Sequence, residues 1–379
     1  MNSSSVETGE GIAQSPKINF SERPFIAIWE TTQACDLVCV HCRACAQPLR
    51  SPLELTTTEA KALIDEIACM QIPVFVMTGG DPLKRPDIYQ LVEYAAMTGV
   101  RASLTPSATP LLTPEAIARL QGAGLARLAV SLDGSTSKIH DAFRGVVGSF
   151  ERTLSAVRWA REAGLPVQIN TTITRRNLAD FDAMVRLLET LDIVLWSVFF
   201  LVPTGRGQTD DLISAEEFEC VFEKLYELSG RAAFDVKTTE AQHYRRYVAQ
   251  RRAMERRSGH SIVPASGMKS RADGILRAPR GINDAKGFVF ISHQGHVFPS
   301  GFLPISAGNI RKQPLGEIYR DSPLFSALRD TSNLKGKCGE CEFREICGGS
   351  RARAYALTGD PFAQEPCCVY EPKSNRVMV

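Results

Sequence analysis

The sequence has no apolar run near the ~18 residues that a membrane span needs. Its start, Met1-Asn-Ser-Ser-Ser-Val-Glu-Thr-Gly-Glu, lacks a basic region followed by an apolar core, so no secretory leader is read there. A net charge of +2 gives no field of one sign to gather nucleic acid. These absences exclude a membrane-spanning role, give no support to a nucleic-acid partner and point to the cytoplasm. Apolar content of 44% and charged content of 23% are ordinary for a globular chain, and 379 residues suffice for a large domain plus a smaller one. What the chain does have is cysteine. Its eleven cysteines are an odd number gathered mostly towards the two ends. In a chain without a leader, that favours metal over disulfides.

The densest group is Cys35-Asp-Leu-Val-Cys39-Val-His-Cys42, a C-x3-C-x2-C cluster directly after the apolar run Phe25–Thr32. Three cysteines this close cannot all pair with one another. Thiolates suit a metal or an iron–sulfur cluster, and three ligands on a four-iron cluster leave one iron open to bind a small molecule.

The spacing resembles that of the radical S-adenosylmethionine enzymes. The resemblance implies that the open iron chelates S-adenosylmethionine, and that an electron from the cluster releases a deoxyadenosyl radical which takes hydrogen from the substrate. A reductant such as flavodoxin or ferredoxin is then implied. Cys45 extends the run to C-x3-C-x2-C-x2-C; on the family pattern of three it is a non-ligand, placed on a helix starting there. As a fourth ligand it would close the iron and leave a non-enzymatic electron carrier.

From residue 25 to about 230, strand-like and helical runs alternate. Strands are read at Phe25–Thr32, Pro73–Gly79, Arg101–Ser107, Arg127–Gly134, Pro166–Thr174 and Val194–Pro203. Helices are read at Thr57–Met70, Pro86–Thr98, Pro114–Ala123, Phe150–Ala163, Leu178–Leu191 and Ala215–Ser229. Thr113-Pro114 and the Ser214-Ala-Glu-Glu217 capping box mark starts, and Gly164 and Gly230 mark ends. Near-continuous apolar strands alternating with helices mean an α/β fold with a parallel sheet. Six units fall short of a closed barrel and give a partial one, with chemistry expected at the strands' carboxyl ends. The (β/α)6 partial TIM barrel of the resembled family agrees. The expected division is an extension (1–24), the barrel (25–240), a basic helix with linker (241–285) and a cysteine-rich auxiliary-cluster region (286–379).

The resemblance also assigns cofactor contacts. Gly79, Gly80 and Asp81, in Thr78-Gly-Gly-Asp-Pro82, match a Gly-Gly-Glu-Pro segment that holds the amino group of S-adenosylmethionine. His41 takes the position beside the adenine. Ser131, Arg144 and Asn170 are expected near its ribose or carboxylate, where the arginine fork suits a carboxylate.

Near the other end lie Cys338-Gly-Glu-Cys341-x5-Cys347 and Cys367-Cys368. Alone, this set fits a structural zinc site or an iron–sulfur cluster. Beside the first cluster it resembles the SPASM/twitch extension. The ligands of that extension's first auxiliary cluster are missing: Ser300 and Arg351 stand at two of their positions. Those of the second remain, as Cys338, Cys341, Cys347 and one of the last pair. Cys368 is preferred because Cys368-Val-Tyr370-Glu-Pro resembles the end of related domains, while spacing leaves Cys367 open. Cys69 and Cys220, inside amphipathic helices, are read as buried small apolar residues.

Two 4Fe–4S clusters are therefore expected, one radical-generating and one auxiliary. The substrate is a peptide or small molecule undergoing oxidative modification. A peptide would need a separate recognition protein, because only 24 residues precede the first strand. The alternative is decarboxylation or side-chain removal on a tetrapyrrole, a branch that Gly348–Arg353 resembles. A zinc-stapled binding protein is the third reading.

Overall fold

The computed structural model describes residues 19–259, 275–276 and 281–373. Most of the N-terminal extension and much of the Gly- and Ser-rich linker lie outside them. One sheet of ten strands organises the molecule. In chain order its strands are β1 (Ile26–Glu30), β2 (Val74–Thr78), β3 (Ala102–Leu104), β4 (Arg127–Ser131), β5 (Val167–Ile173), β6 (Leu195–Phe200), β7 (Asp235–Thr239), β8 (Phe288–Ile291), β9 (His296–Phe298) and β10 (Gly308–Asn309). Helices α1 to α7 are Thr57–Cys69, Ile88–Met97, Pro114–Gly122, Ser137–Arg144, Ser149–Glu162, Phe181–Leu188 and Ala215–Arg231. The remaining helices, α8 to α12, are Tyr244–Ser258, Leu315–Asp321, Pro323–Arg329, Gly336–Glu340 and Arg351–Thr358.

The sheet order is β10-β9-β8-β1-β2-β3-β4-β5-β6-β7, and every pairing from β8 through β7 is parallel. Parallel strands put all their carboxyl ends at one rim, where ligands bind in such folds. The helices bury their apolar stripes on the outside: Leu63, Ile64 and Ile67 of α1 and Phe218, Phe222 and Leu225 of α7 join one core with Trp29, Phe75 and Trp196. This is the partial barrel expected of six βα units.

Three features differ from the expectation. A seventh parallel strand, β7, follows α7, where the mixed run Asp235–Thr239 has no apolar pattern to announce it. A short helix, α4, stands between β4 and α5. And β8 pairs with β1, so the sheet continues into the C-terminal region. The caps at Thr113 and Ser214 form as read, the latter as a reciprocal capping box with Glu217. Gly230 does not end its helix, which runs on to Arg231. Cys69 and Cys220 are exposed rather than buried, because each falls on the solvent side of its helix. The basic helix α8 forms within the region read as a basic helix with linker, and part of it is buried. Arg246 is buried and ion-paired with Glu219. No described helix is long and apolar enough to cross a membrane.

Candidate active site

The loop after β1 carries the first three cysteines and is fixed by backbone bonds at both ends. It closes on itself through Cys35 N to Gln47 O (2.8 Å) and Gln47 N to Gln33 O (2.9 Å). The turn after β2 grips its start: Gly80 N donates to Thr32 O at 2.8 Å and Asp81 N to Ala34 O at 2.6 Å. A Cβ on Gly80 would lie 2.5 Å from Ala34 O, and one on Gly79 2.5 Å from Thr32 O. These glycines are therefore required by the chain's own loop. The far side is held by α4, whose Phe143 and Arg144 carbonyls accept from Val40 N (3.0 Å) and Val38 N (3.1 Å).

Cys35, Cys39 and Cys42 all line a cavity of ≈ 380 Å³ at the centre of the barrel. Each sulfur has a donor. Cys35 Sγ accepts from Leu37 N at 3.4 Å and lies 3.3 Å from Ser107 Oγ. Cys42 Sγ accepts from Ala46 N at 3.5 Å, and Cys39 Sγ from Arg144 Nη1 at 3.6 Å. Three thiols facing one cavity, each met by a hydrogen-bond donor, fit a cluster with one iron open. Cys45 is exposed, has a left-handed backbone (φ 48°) and does not line the cavity. It follows the turn at Arg43-Ala44 in irregular structure, not on the helix read from sequence.

Of the other residues read from sequence, His41, Gly79, Gly80, Ser131, Arg144 and Asn170 line the same cavity. His41 packs on Phe143 with ring centroids 4.7 Å apart, and burial takes its imidazole down to about 4, so it is neutral. Arg144 is not a free fork: it ion-pairs with buried Asp133 and reaches Cys39. Asp81 turns away from the cavity. Its carboxylate accepts from Leu83 N (3.1 Å) and Thr109 Oγ1 (2.7 Å), and burial pushes its pKa up to about 6. It caps the turn that bears the two glycines.

Several lining residues escaped the sequence reading. Ser107 bonds Gly80 O at 2.8 Å as well as approaching Cys35. Gln168 and Thr172 flank the Asn170 already read from sequence in a polar row along β5, with Gln168 Nε2 donating to Asn170 Oδ1 at 2.7 Å. Their period-two spacing between buried neighbours was the available signal. Arg245 and Asn283 carried no such signal.

A second, much smaller cavity of ≈ 20 Å³ is lined by Cys338, Cys341, Cys347 and Cys368, together with His243 and Arg246. Burial pushes the Cys347 thiol up to about 12, so a thiolate there needs a metal to displace its proton. Cys367 is buried in the main core and does not line this cavity. Arg351, at a position where SPASM domains carry a ligand, donates to the Pro361 and Ala363 carbonyls (3.0 and 2.7 Å) and reaches Cys338 Sγ at 3.9 Å. Ser300, at another such position, bonds Asp284, which also accepts from Ala352 N at 3.1 Å. Oxygen and guanidinium groups thus occupy the positions where those domains have sulfur.

The profile of the Radical SAM superfamily matches residues 29–188. The AdoMet-dependent heme synthase of Methanosarcina barkeri is 43% identical over 356 residues, covering 94% of this chain and 99% of the relative. This chain belongs to the radical SAM superfamily. The Fe-coproporphyrin III synthase of the same organism is 31% identical over 362 residues, covering 90% of this chain and 87% of the relative. In fold, the chain is similar to Streptococcus suis SuiB, solved with S-adenosylmethionine and with its precursor peptide SuiA. Both comparisons give a TM-score of 0.70 over 92% of this chain, covering 78% and 76% of SuiB at 16% and 17% identity.

The protein is thus a radical SAM enzyme that binds S-adenosylmethionine and a 4Fe–4S cluster. That pair, when bound, supplies a deoxyadenosyl radical that abstracts hydrogen from the substrate. The chain itself brings the sulfurs of Cys35, Cys39 and Cys42 to one cavity, with His41 and the ion pair of Arg144 with Asp133 around it.

Proposed function

We propose that the chain is a heme synthase acting on carboxylate-bearing side chains of an iron tetrapyrrole. The observation that carries this reading is the 43% identity to a heme synthase over 94% of the chain and 99% of that relative. Heme has vinyl groups where Fe-coproporphyrin III has propionates. Turning one into the other removes CO2, one hydrogen atom and one electron per side chain, the electron passing to a one-electron acceptor. The cavity suits a flat apolar ring: Phe199, Phe288, Phe290, Leu201 and Phe302 line it. Peptide modification, also within the family's repertoire, shares the hydrogen abstraction and differs in what fills this space.

The residues proposed for S-adenosylmethionine and its cluster are Cys35, Cys39 and Cys42 as ligands, with His41, Gly79, Gly80, Ser131 and Asn170 around the cofactor. Arg144 acts through Cys39 and Asp133, and Asp81 through the glycine turn. Cys338, Cys341, Cys347 and Cys368 would hold an auxiliary 4Fe–4S cluster. Four thiolates leave no open iron, so the chemistry supplied there is one-electron exchange. An external reductant such as flavodoxin or ferredoxin is the required partner.

The test is anaerobic. The protein is reconstituted with iron and sulfide, reduced with dithionite, and given S-adenosylmethionine with Fe-coproporphyrin III. Heme, CO2 and deoxyadenosine are expected together, and all three should vanish in Cys39→Ala. Deoxyadenosine without heme would sink the tetrapyrrole reading while leaving the radical chemistry intact.

A further inference from the structure

The wall of the large cavity carries Arg43, Arg127, Arg144, Lys237 and Arg245. Four of these cations are engaged. Arg43 pairs with Glu30 at 2.8 Å, Arg127 donates to Gln168 at 3.0 Å, Arg144 pairs with Asp133, and Lys237 also has a partner. Arg245 stands apart. It donates one bond, from Nη1 to the Ile346 carbonyl at 3.1 Å, and among the described residues no carboxylate pairs with it. Arg245 is half-buried, and a cation drawn partly out of water without a carboxylate counter-ion is costly to hold. Burial accordingly pulls its pKa below the usual arginine range.

The neighbours of Arg245 are polar and tied to the four-cysteine site. Gln242 Nε2 donates to Asn283 Oδ1 at 2.9 Å, and the Gln242 Oε1 atom is buried without a partner. Asn283 Nδ2 donates to the Cys347 and Gly349 carbonyls at 3.2 and 2.9 Å. Both Arg245 and Asn283 line the large cavity while bonding the chain at Ile346–Gly349, so they form the partition between the two cavities. The Cys347 thiol lies near enough to act on the charge of Arg245, yet Arg245 does not bond that sulfur. Arg144 and Arg351 donate to cysteine sulfurs, whereas the bond of Arg245 goes to a backbone carbonyl.

We propose that Arg245 receives a carboxylate of the substrate, forming an anion subsite in the partition beside Cys347. Phe199, Phe288, Phe290 and Phe302 line the same cavity, so a fork beside them would orient a flat ring by its acidic edge. The proposal rests on the tetrapyrrole reading and adds the group that holds the substrate.

The test is a titration of the reconstituted holoenzyme with Fe-coproporphyrin III, followed through its Soret band. Arg245→Gln is expected to weaken binding by about 10–100-fold, as for loss of a charged hydrogen bond. Arg245→Lys should lose less. An uncharged tetraamide of the same porphyrin should bind the wild type weakly, and Arg245→Gln should not weaken it further. Iron content is measured in every variant. If Arg245→Gln fails to retain iron, the comparison of tetraacid with tetraamide on the wild type decides. Equal binding of acid and amide by the wild type, or unchanged acid binding by an iron-replete Arg245→Gln, overturns the subsite and leaves heme synthesis standing. A wild type that neither binds nor converts Fe-coproporphyrin III overturns both.

Discussion

Cys367 and Cys368 are adjacent in the chain, yet only Cys368 reaches the small cavity lined by Cys338, Cys341 and Cys347; Cys367 packs into the main core. Cys368→Ala should therefore lose the iron and labile sulfide of one cluster, about half the total if two four-iron clusters are bound. Cys367→Ala should keep its iron and pay only for a small void, about 1 kcal/mol. Iron and sulfide analysis of the two variants separates the thiols. The reverse result would transfer the ligand role to Cys367.

Arg144 touches both Asp133 and the Cys39 sulfur. Arg144→Met leaves Asp133 buried and unpaired, a cost of about 3–5 kcal/mol. Thermal unfolding should register that loss, and deoxyadenosine formation should fall more than tenfold. Arg144→Lys keeps the charge without the fork and should fall between. Wild-type rates in Arg144→Met would remove Arg144 from any role beside the cluster.

Gly80→Ala would set a methyl 2.5 Å from the Ala34 carbonyl, which is backbone and cannot step aside. The expected cost is about 1–3 kcal/mol of strain. Because the same loop presents Cys35, the variant should also take up less iron during reconstitution. A variant with wild-type stability and full iron would show that the loop has slack.

The buried histidines give the fold a dependence on acid. Burial takes His41 and His140 down to about 4 and His243 down to about 3, from 6.5. Below 6.5 the unfolded chain takes up protons that the folded one refuses. Their stabilising contribution is thus complete above pH 6.5 and drains away as pH falls towards 4 and 3. Each costs about 1.4 kcal/mol per pH unit across that window. Unfolding temperatures at pH 7.5 and 5.5 should differ accordingly. His243→Phe, set between Phe218 and Phe222 with ring centroids 5.1 and 4.8 Å away, should flatten the dependence. An unchanged slope would rule out His243 as a contributor.

The barrel was readable because its strands are continuous apolar runs and its helices start at strong caps such as Thr113-Pro114 and Ser214–Glu217. The three-cysteine loop was readable from spacing. What stayed hidden depends on tertiary contact. β7 is a strand because β6 offers it an edge, not because Asp235–Thr239 looks like one. The burial of Asp81 follows from Thr109 and Leu83 reaching it, which no local pattern announces. Arg245 could not be told from the other arginines of a basic helix until the sheet had placed it on the cavity wall.

Strand β1 pairs with β2 on one side and with β8 on the other, and Glu30 at its end bonds His293, 263 residues later in the chain. During synthesis, β1 therefore waits with one edge unpaired for on the order of tens of seconds, at ~5–20 residues per second. Throughout that interval the three-cysteine loop has its β2 anchor but lacks the Glu30–His293 clasp. The nascent chain thus passes through a stage in which the cluster loop hangs from an open sheet edge. The last quarter of the protein, from β8 onward, then adds Phe288, Phe290 and Phe302 to the wall of the cavity that the three cysteines line.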